Sequence, residues 1–144
     1  MKSVTQKKTV LMAEDEENDV FMMQRAIRKM NEPVSLQVAK DGDQAIEYLS
    51  GYGQYADRNR YPLPALILLD VKMPRKNGFE VLGWLKADGT LTHIPVVMVT
   101  SSKVKSDVQK ARELGASQYL VKPVPLDELQ QLFTETEVFL TVPA

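Results

Sequence analysis

An uninterrupted apolar run, Ala65–Leu69, leads into a single acidic residue, Asp70, and Pro74 and Gly78 follow within eight positions. A run of this length between turn residues is typical of a strand that is buried on both faces of a parallel sheet. Asp70 would then lie at the carboxyl end of that strand, where open α/β sheets bind their ligands. The stretch therefore predicts a buried strand that carries a carboxylate to a ligand site.

Strand-like and helix-like segments alternate along the rest of the chain. Each predicted strand is followed by apolar residues at helical spacing. Five such β-α units with right-handed crossovers imply an α/β fold, a doubly wound parallel sheet covered by helices on both faces. The other four predicted strands are Val10–Ala13, Val34–Ala39, Pro95–Val99 and Tyr119–Val121.

Three local expectations accompany this pattern. Asn18 or Asp19 has a side chain suited to cap the first helix. Ser50–Pro64 contains two glycines, three tyrosines and two prolines, and it is longer than usual connections, so it reads as a surface loop whose tyrosines either pack it down or form an interface. The last helix is expected to run from Leu126 to about Phe139.

The composition narrows the class of protein. The chain has 144 residues with 18 basic and 19 acidic side chains, a formal net charge of −1, and no cysteine. Disulfides and thiolate metal sites are excluded, and nothing in the charge balance favours a nucleic acid or a membrane as partner. We expect one cytoplasmic domain over 1–144, with a core over about 8–140 and no output domain.

Polar residues follow four of the predicted strands: the acid pair Glu14-Asp15, then Asp70, Thr100 and Lys122. The carboxyl ends of parallel strands share one edge of the sheet, so these side chains are expected to converge. Clustered carboxylates repel one another and raise a pKa unless a cation is bound, and oxygen-rich sites of this kind suit Mg²⁺. An aspartate beside such an ion is able to accept a phosphoryl group.

With these residues in register, the sequence resembles the CheY-like receiver domains of response regulators in two-component signalling. The resemblance covers roughly Lys8 to Phe139 and includes the pattern Leu-Asp-Val-Lys-Met-Pro-x-x-x-Gly around Asp70. It implies a flavodoxin-like (βα)5 fold with strand order 2-1-3-4-5. It also implies a single-domain response regulator that accepts a phosphoryl group on Asp70 with Mg²⁺, and that is not an enzyme beyond slow self-catalysed phosphotransfer and dephosphorylation.

The resemblance assigns roles in metal binding. The Mg²⁺ site it implies consists of Glu14, Asp15, Asp70 and the backbone carbonyl of Lys72. Glu14 stands where many receivers have aspartate. The Lys72 side chain is a cation beside a cation site, and it is expected to weaken Mg²⁺ binding or to alter the lifetime of the phosphoryl group.

The resemblance also assigns the residues that respond to phosphorylation. Thr100 is the switch hydroxyl, Lys122 is the lysine that contacts the phosphoryl group, and Tyr119 is the switch aromatic. The Lys122-Pro123 peptide bond is implied to be cis, which costs little at an X-Pro bond. Together these residues would alter the surface formed by helix 4, predicted around Val104, Val108 and Ala111, strand 5 (Tyr119–Val121) and helix 5, the last helix.

The long loop suggests a subfamily and a partner. Its pattern Gly-Tyr-x-x-Tyr-Ala-Asp-Arg is similar to stand-alone regulators of the cyanobacterial phytochrome-kinase type, so the expected partner is a sensor histidine kinase, phytochrome-type or other, or a phosphotransfer protein. We also expect a homodimer through the helix 4-strand 5-helix 5 face, because the last helix is apolar over a wide face. The residues of that face are Leu129, Leu132, Phe133, Thr136, Phe139 and Leu140.

Three other functions use similar features. A haloacid-dehalogenase-type phosphatase also has a nucleophilic aspartate, but it needs a second acid two positions later, where this chain has Lys72. A flavodoxin-like FMN-binding protein would place phosphate after the first strand, where Glu14–Glu17 would repel a dianion. A protein-interaction module with vestigial receiver chemistry would not need the intact set of site residues.

Overall fold

The computed structural model describes residues 7–30 and 33–135, which form a five-stranded parallel sheet. The order in the sheet is β2-β1-β3-β4-β5, and neighbouring strands pair in parallel. The predicted flavodoxin-like α/β fold and its strand order 2-1-3-4-5 are confirmed. The strands are β1 (Lys8–Ala13), β2 (Val34–Ala39), β3 (Leu66–Leu69), β4 (Val96–Thr100) and β5 (Gln118–Val121).

A helix follows each strand. Asp41 caps the second helix by accepting a hydrogen bond from the Gln44 backbone, and a full capping box between Asn77 and Glu80 starts the third. These caps satisfy backbone N–H groups that have no partner inside the helix. The helices are α1 (Glu17–Met30), α2 (Gly42–Ser50), α3 (Gly78–Asp88), α4 (Lys105–Glu113) and α5 (Leu126–Glu135).

The predicted cap of α1 is wrong. The helix begins at Glu17, so Asn18 and Asp19 both lie within its first turn rather than before it. An acidic first turn still interacts favourably with the helix dipole. The position of Asp19 inside the helix matters for the site described below.

The sheet is covered on both faces, because successive residues of a strand point to opposite sides. Leu11 and Ala13 of β1 pack toward one face, and Val10 and Met12 pack toward the other. The first core includes residues of α2, α3 and α4: Ala45, Tyr48, Leu49, Val81, Leu82, Leu85 and Ala111. The second includes residues of α1 and α5: Met23, Ile27, Met30, Leu129, Leu132 and Phe133.

The long loop after α2 is packed against the domain. It contains a short 3-10 helix, Gly53–Ala56, and the buried ring of Tyr55 lies 5.1 Å from that of Tyr48 and 5.0 Å from that of Tyr61, between centroids. Arg58 donates hydrogen bonds to the Tyr48, Leu49 and Tyr61 carbonyls at 2.8, 3.0 and 3.2 Å. These contacts favour the packing interpretation for Tyr55 and Tyr61.

The expected dimer face is only partly within the described residues. Leu129, Leu132 and Phe133 are buried inside the single chain, so they use their apolar surface within the domain. Thr136, Phe139 and Leu140 lie outside the described residues, as does the predicted end of the last helix at Phe139. Over 7–30 and 33–135, no helix is long and apolar enough to cross a bilayer.

Candidate functional site

The strand register brings the predicted polar residues to one edge of the sheet. Ala13 pairs with Leu69, and the Asp70 N–H donates to the Ala13 carbonyl at 3.2 Å, so Asp70 emerges beside Glu14. On the other side, the Lys122 N–H donates to the Thr100 carbonyl at 2.8 Å. These backbone bonds continue the strand ladders and fix where each side chain leaves the sheet.

Three carboxylates form a cluster at this edge. One oxygen each from Glu14, Asp15 and Asp70 lies within 4.8 Å of the others. Glu14 and Asp70 are buried, whereas Asp15 is exposed. The Asp70 carboxylate also accepts a hydrogen bond from the Lys72 N–H at 3.2 Å. All three donors are carboxylate oxygens, the ligand type that hard divalent cations such as Mg²⁺ prefer, so the three predicted carboxylate ligands fit such an ion.

Lys122 reaches into this cluster from the end of β5. Its ammonium nitrogen donates to Glu14 Oε1 at 2.5 Å, to Asp19 Oδ2 at 2.7 Å and to Asp70 Oδ2 at 2.9 Å. The Lys122-Pro123 peptide bond that follows is cis, as the resemblance implied. One cation therefore bridges the acids that directly follow β1 and β3 and an acid in the first turn of α1.

The charges in the site are not balanced by Lys122 alone. Burial raises the pKa of Glu14 to about 7: the hydrogen bond from Lys122 lowers this pKa by less than burial raises it, and the neighbouring Asp70 charge adds repulsion. Burial by itself would lower the pKa of Lys122, but its hydrogen bonds to Asp19, Glu14 and Asp70 together raise that pKa above its usual value. A bound divalent cation would relieve the repulsion among the acids.

Gly78 allows the backbone to pass close to Asp70. A Cβ atom at Gly78 would lie 2.2 Å from the Asp70 carbonyl oxygen, well inside any contact distance, and the Gly78 N–H donates to the Val71 carbonyl at 3.0 Å. The glycine of the Pro-x-x-x-Gly pattern is therefore a packing requirement of the loop between β3 and α3. This loop carries the predicted carbonyl ligand, Lys72.

The two predicted switch residues meet at the loop between β4 and α4. Thr100 is fully buried at the end of β4, and its hydroxyl oxygen accepts a hydrogen bond from the Ser102 N–H at 3.4 Å. The Tyr119 hydroxyl donates to the Ser102 carbonyl at 2.9 Å. The Ser102 hydroxyl in turn donates to the Asp107 carboxylate in α4 at 2.6 Å. Ser102 thus connects Thr100, Tyr119 and the first turn of α4.

The structure adds site residues that sequence reasoning missed. Asp19 and Ser102 both contact predicted site residues, yet the sequence indicates Asp19 only as one of two candidate caps of α1. Its spacing of five residues from Glu14, at the start of the helix after β1, is the one signal that could have pointed to the site. Ser102 offers no comparable signal, because a serine after a strand is an ordinary loop residue.

A groove of about 1030 Å³ opens beside Asp70. It runs between α1 and the connection from β5 to α5 and is lined by Asp15, Met22, Arg25, Lys72, Pro123 and Leu126, among others. Met22 and Leu126 are 58% and 42% exposed. The cluster is therefore accessible from solvent on the α1 side.

Comparison with known proteins identifies relatives of this chain. A sequence model described as "Response regulator receiver domain" matches residues 10–134. The response regulator Rcp1 of Synechocystis is 34% identical over 141 residues, which cover 95% of this chain and 94% of Rcp1.

Solved structures give the same result. The Mn²⁺-bound form of Rcp1 is 32% identical with a TM-score of 0.81, and the match covers 95% of this chain and 99% of that one. A response regulator in red light signaling of R. palustris has a TM-score of 0.85 at 30% identity, with the same coverage. The phosphorylated cyanobacterial phytochrome response regulator RcpA has a TM-score of 0.77 at 34% identity and 88% coverage of each chain.

Proposed function

Because this chain belongs to the response regulator receiver domain family of two-component systems, we propose that it takes a phosphoryl group from a histidine kinase onto Asp70 with Mg²⁺. The observation that carries the proposal is the contact of the Lys122 ammonium group with Asp70 at 2.9 Å, inside a cluster of three carboxylates. A nucleophile, a positive charge and a set of metal ligands are therefore adjacent.

The proposed step forms one bond and breaks one. An Asp70 carboxylate oxygen attacks the phosphorus of a phosphohistidine, the P–O bond forms, and the P–N bond breaks as the electron pair returns to the imidazole, which takes up a proton. Mg²⁺ held by Glu14, Asp15, Asp70 and the Lys72 carbonyl would neutralise charge on the transferring group. Lys122 donates to one of the new phosphoryl oxygens.

Thr100 is proposed to respond to phosphorylation of Asp70. A phosphoryl group on Asp70 offers new acceptors to the Thr100 hydroxyl, and the energy of those hydrogen bonds shifts the balance between two conformations of the loop between β4 and α4. Tyr119 in β5 would move with this loop, because its hydroxyl donates a hydrogen bond to the Ser102 carbonyl there. The surface of α4, β5 and α5 then differs between the two states.

Several finer features remain part of the proposal. The exposed Lys72 side chain beside the cluster is proposed to lower Mg²⁺ affinity or to change the lifetime of the phosphoryl group. A phytochrome-type kinase is the proposed donor, supported by the likeness to Rcp1 and RcpA. A single cytoplasmic receiver domain and a homodimer through the α4-β5-α5 face stay part of the proposal, although Leu129, Leu132 and Phe133, from which the dimer was expected, are buried within the single chain.

The test is phosphotransfer from a labelled histidine kinase. Label should move from the kinase to the wild-type chain in the presence of Mg²⁺, and chelation of Mg²⁺ should stop it. The Asp70→Asn variant is the matched control, because it keeps the size of the side chain and removes the nucleophile. Transfer of equal extent to Asp70→Asn would overturn the assignment, and so would the absence of transfer from every candidate kinase and from acetyl phosphate.

A further inference from the structure

Asp19 lies outside the site that the sequence predicts, yet its carboxylate is a direct partner of Lys122. The two other partners, Glu14 and Asp70, come from the ends of strands, whereas Asp19 comes from the first turn of α1. An ammonium group has three N–H donors, and the three carboxylates use all of them. A phosphoryl oxygen lies beyond the Asp70 carboxylate, so the ammonium group must move outward to reach it, and in doing so it lengthens its bonds to the other partners.

The three partners differ in how easily water replaces Lys122. The Glu14 and Asp70 side chains are 1% and 8% exposed, whereas the Asp19 side chain is 36% exposed. A buried carboxylate that loses its cation keeps the full cost of desolvation, while an exposed one is rehydrated. Phosphorylation turns Asp70 into an uncharged acyl group, so this cost falls only on Glu14 and Asp19, which keep their charge. Of these two, Asp19 is the partner whose bond to Lys122 is less costly to break.

We infer that Asp19 is a positioning residue that holds the Lys122 ammonium group before phosphorylation and releases it when a phosphoryl group forms on Asp70. The inference rests on the proposed function of Asp70. Removing the Asp19 charge leaves Lys122 anchored to Glu14 and Asp70 with one N–H free. The phosphorylated state is then reached without first breaking an ion pair.

The experiment measures beryllofluoride binding, a mimic of the phosphoryl group, at Mg²⁺ concentrations that saturate each variant. Asp19→Asn should bind beryllofluoride roughly three- to tenfold more tightly than wild type, the range expected for loss of one partly exposed charged bond. Glu17→Gln is the matched control, because this exposed residue lies in the same helical turn and loses the same charge. It should change the affinity by less than about twofold, the size of a weak surface charge effect.

Two results would overturn the inference. One is unchanged or weaker binding by Asp19→Asn. The other is an equal gain in Glu17→Gln, which would show that the general field around the site matters and the contact with Lys122 does not.

A second measurement separates this inference from the proposed function. In the metal-free protein, NMR records the signal of the Lys122 ammonium hydrogens. This signal is assigned as the one that disappears in Lys122→Arg. These hydrogens should exchange faster with water in Asp19→Asn and at the wild-type rate in Glu17→Gln. Equal exchange in wild type and Asp19→Asn overturns the inference alone. A wild-type protein that binds no beryllofluoride overturns the proposed function and, with it, the release of Lys122.

Discussion

Gly78→Ala tests whether the close approach of the backbone at Gly78 to Asp70 is needed both for the stability of the fold and for ligand binding at the site. The added Cβ would lie 2.2 Å from the Asp70 carbonyl oxygen and 3.0 Å from its carbonyl carbon. Relief to an ordinary contact of 3.4 Å requires a shift of about 1.2 Å, and overpacking of this kind typically costs about 1–3 kcal/mol. The clashing atom belongs to the backbone, so no side-chain rotation relieves it.

The displaced backbone is that of Asp70 itself, whose carboxylate is hydrogen-bonded to Lys122 at 2.9 Å. Gly78→Ala should therefore lower both the free energy of unfolding, measured by urea denaturation with an unchanged m-value, and the affinity for beryllofluoride with Mg²⁺. Loss of stability alone would mean that the loop absorbs the clash without moving the site.

Gly83 is the matched control in the same helix. A Cβ there meets nothing within 4 Å, so Gly83→Ala should stabilise the protein by about 0.5–1 kcal/mol through helix propensity. The two substitutions are predicted to change the free energy of unfolding in opposite directions. Equal stability of Gly78→Ala and wild type, or equal destabilisation by the two substitutions, would refute the reasoning.

Two further predictions concern the acid cluster and the long loop. Because the pKa of Glu14 is raised from 4.5 to about 7 in the folded chain, the metal-free folded state binds more protons than the unfolded one between these values. Its stability should therefore fall as pH rises across that window, by up to about 1.4 kcal/mol per pH unit from this group. Glu14→Gln should remove that part of the dependence in urea denaturation at pH 5 and pH 8, and an identical dependence would contradict the assignment. Arg58→Ala should lower the free energy of unfolding by about 1–3 kcal/mol, because three backbone carbonyls lose a charged donor. Arg60→Ala, which loses one exposed contact with a tyrosine ring, should cost no more than about 1 kcal/mol, and a reversed order would refute the role of Arg58.

Much of the fold could be predicted from the sequence because the strands of a parallel sheet are buried on both faces. The unbroken apolar run before Asp70 reflects a strand covered on both faces, and alternating strands and helices leave few possible topologies. Topology then predicts that residues more than a hundred positions apart, such as Glu14 and Lys122, meet at one edge. Their 2.5 Å contact agrees with that prediction.

The features that were not predicted depend on the orientation of individual side chains, which sequence patterns do not determine. Asp19 contacts Lys122 only because α1 begins at Glu17 and thereby turns this side chain toward the site. Arg58 donates its hydrogen bonds to backbone carbonyls from a loop without periodicity, where no pattern indicates the partners of a side chain. Ser102 joins Thr100 to α4 through single hydrogen bonds that the sequence cannot specify.

The most direct test of the central claim is chemical identification of the phosphorylated residue. The chain is incubated with acetyl phosphate and Mg²⁺, the acyl phosphate is reduced with borohydride, and peptides are sequenced by mass spectrometry. Reduction converts a phosphorylated aspartate into its alcohol and so marks the site. We predict modification of Asp70 that depends on Mg²⁺ and is absent without acetyl phosphate. Modification of another carboxylate, or none in protein that is folded and saturated with Mg²⁺, would contradict the account.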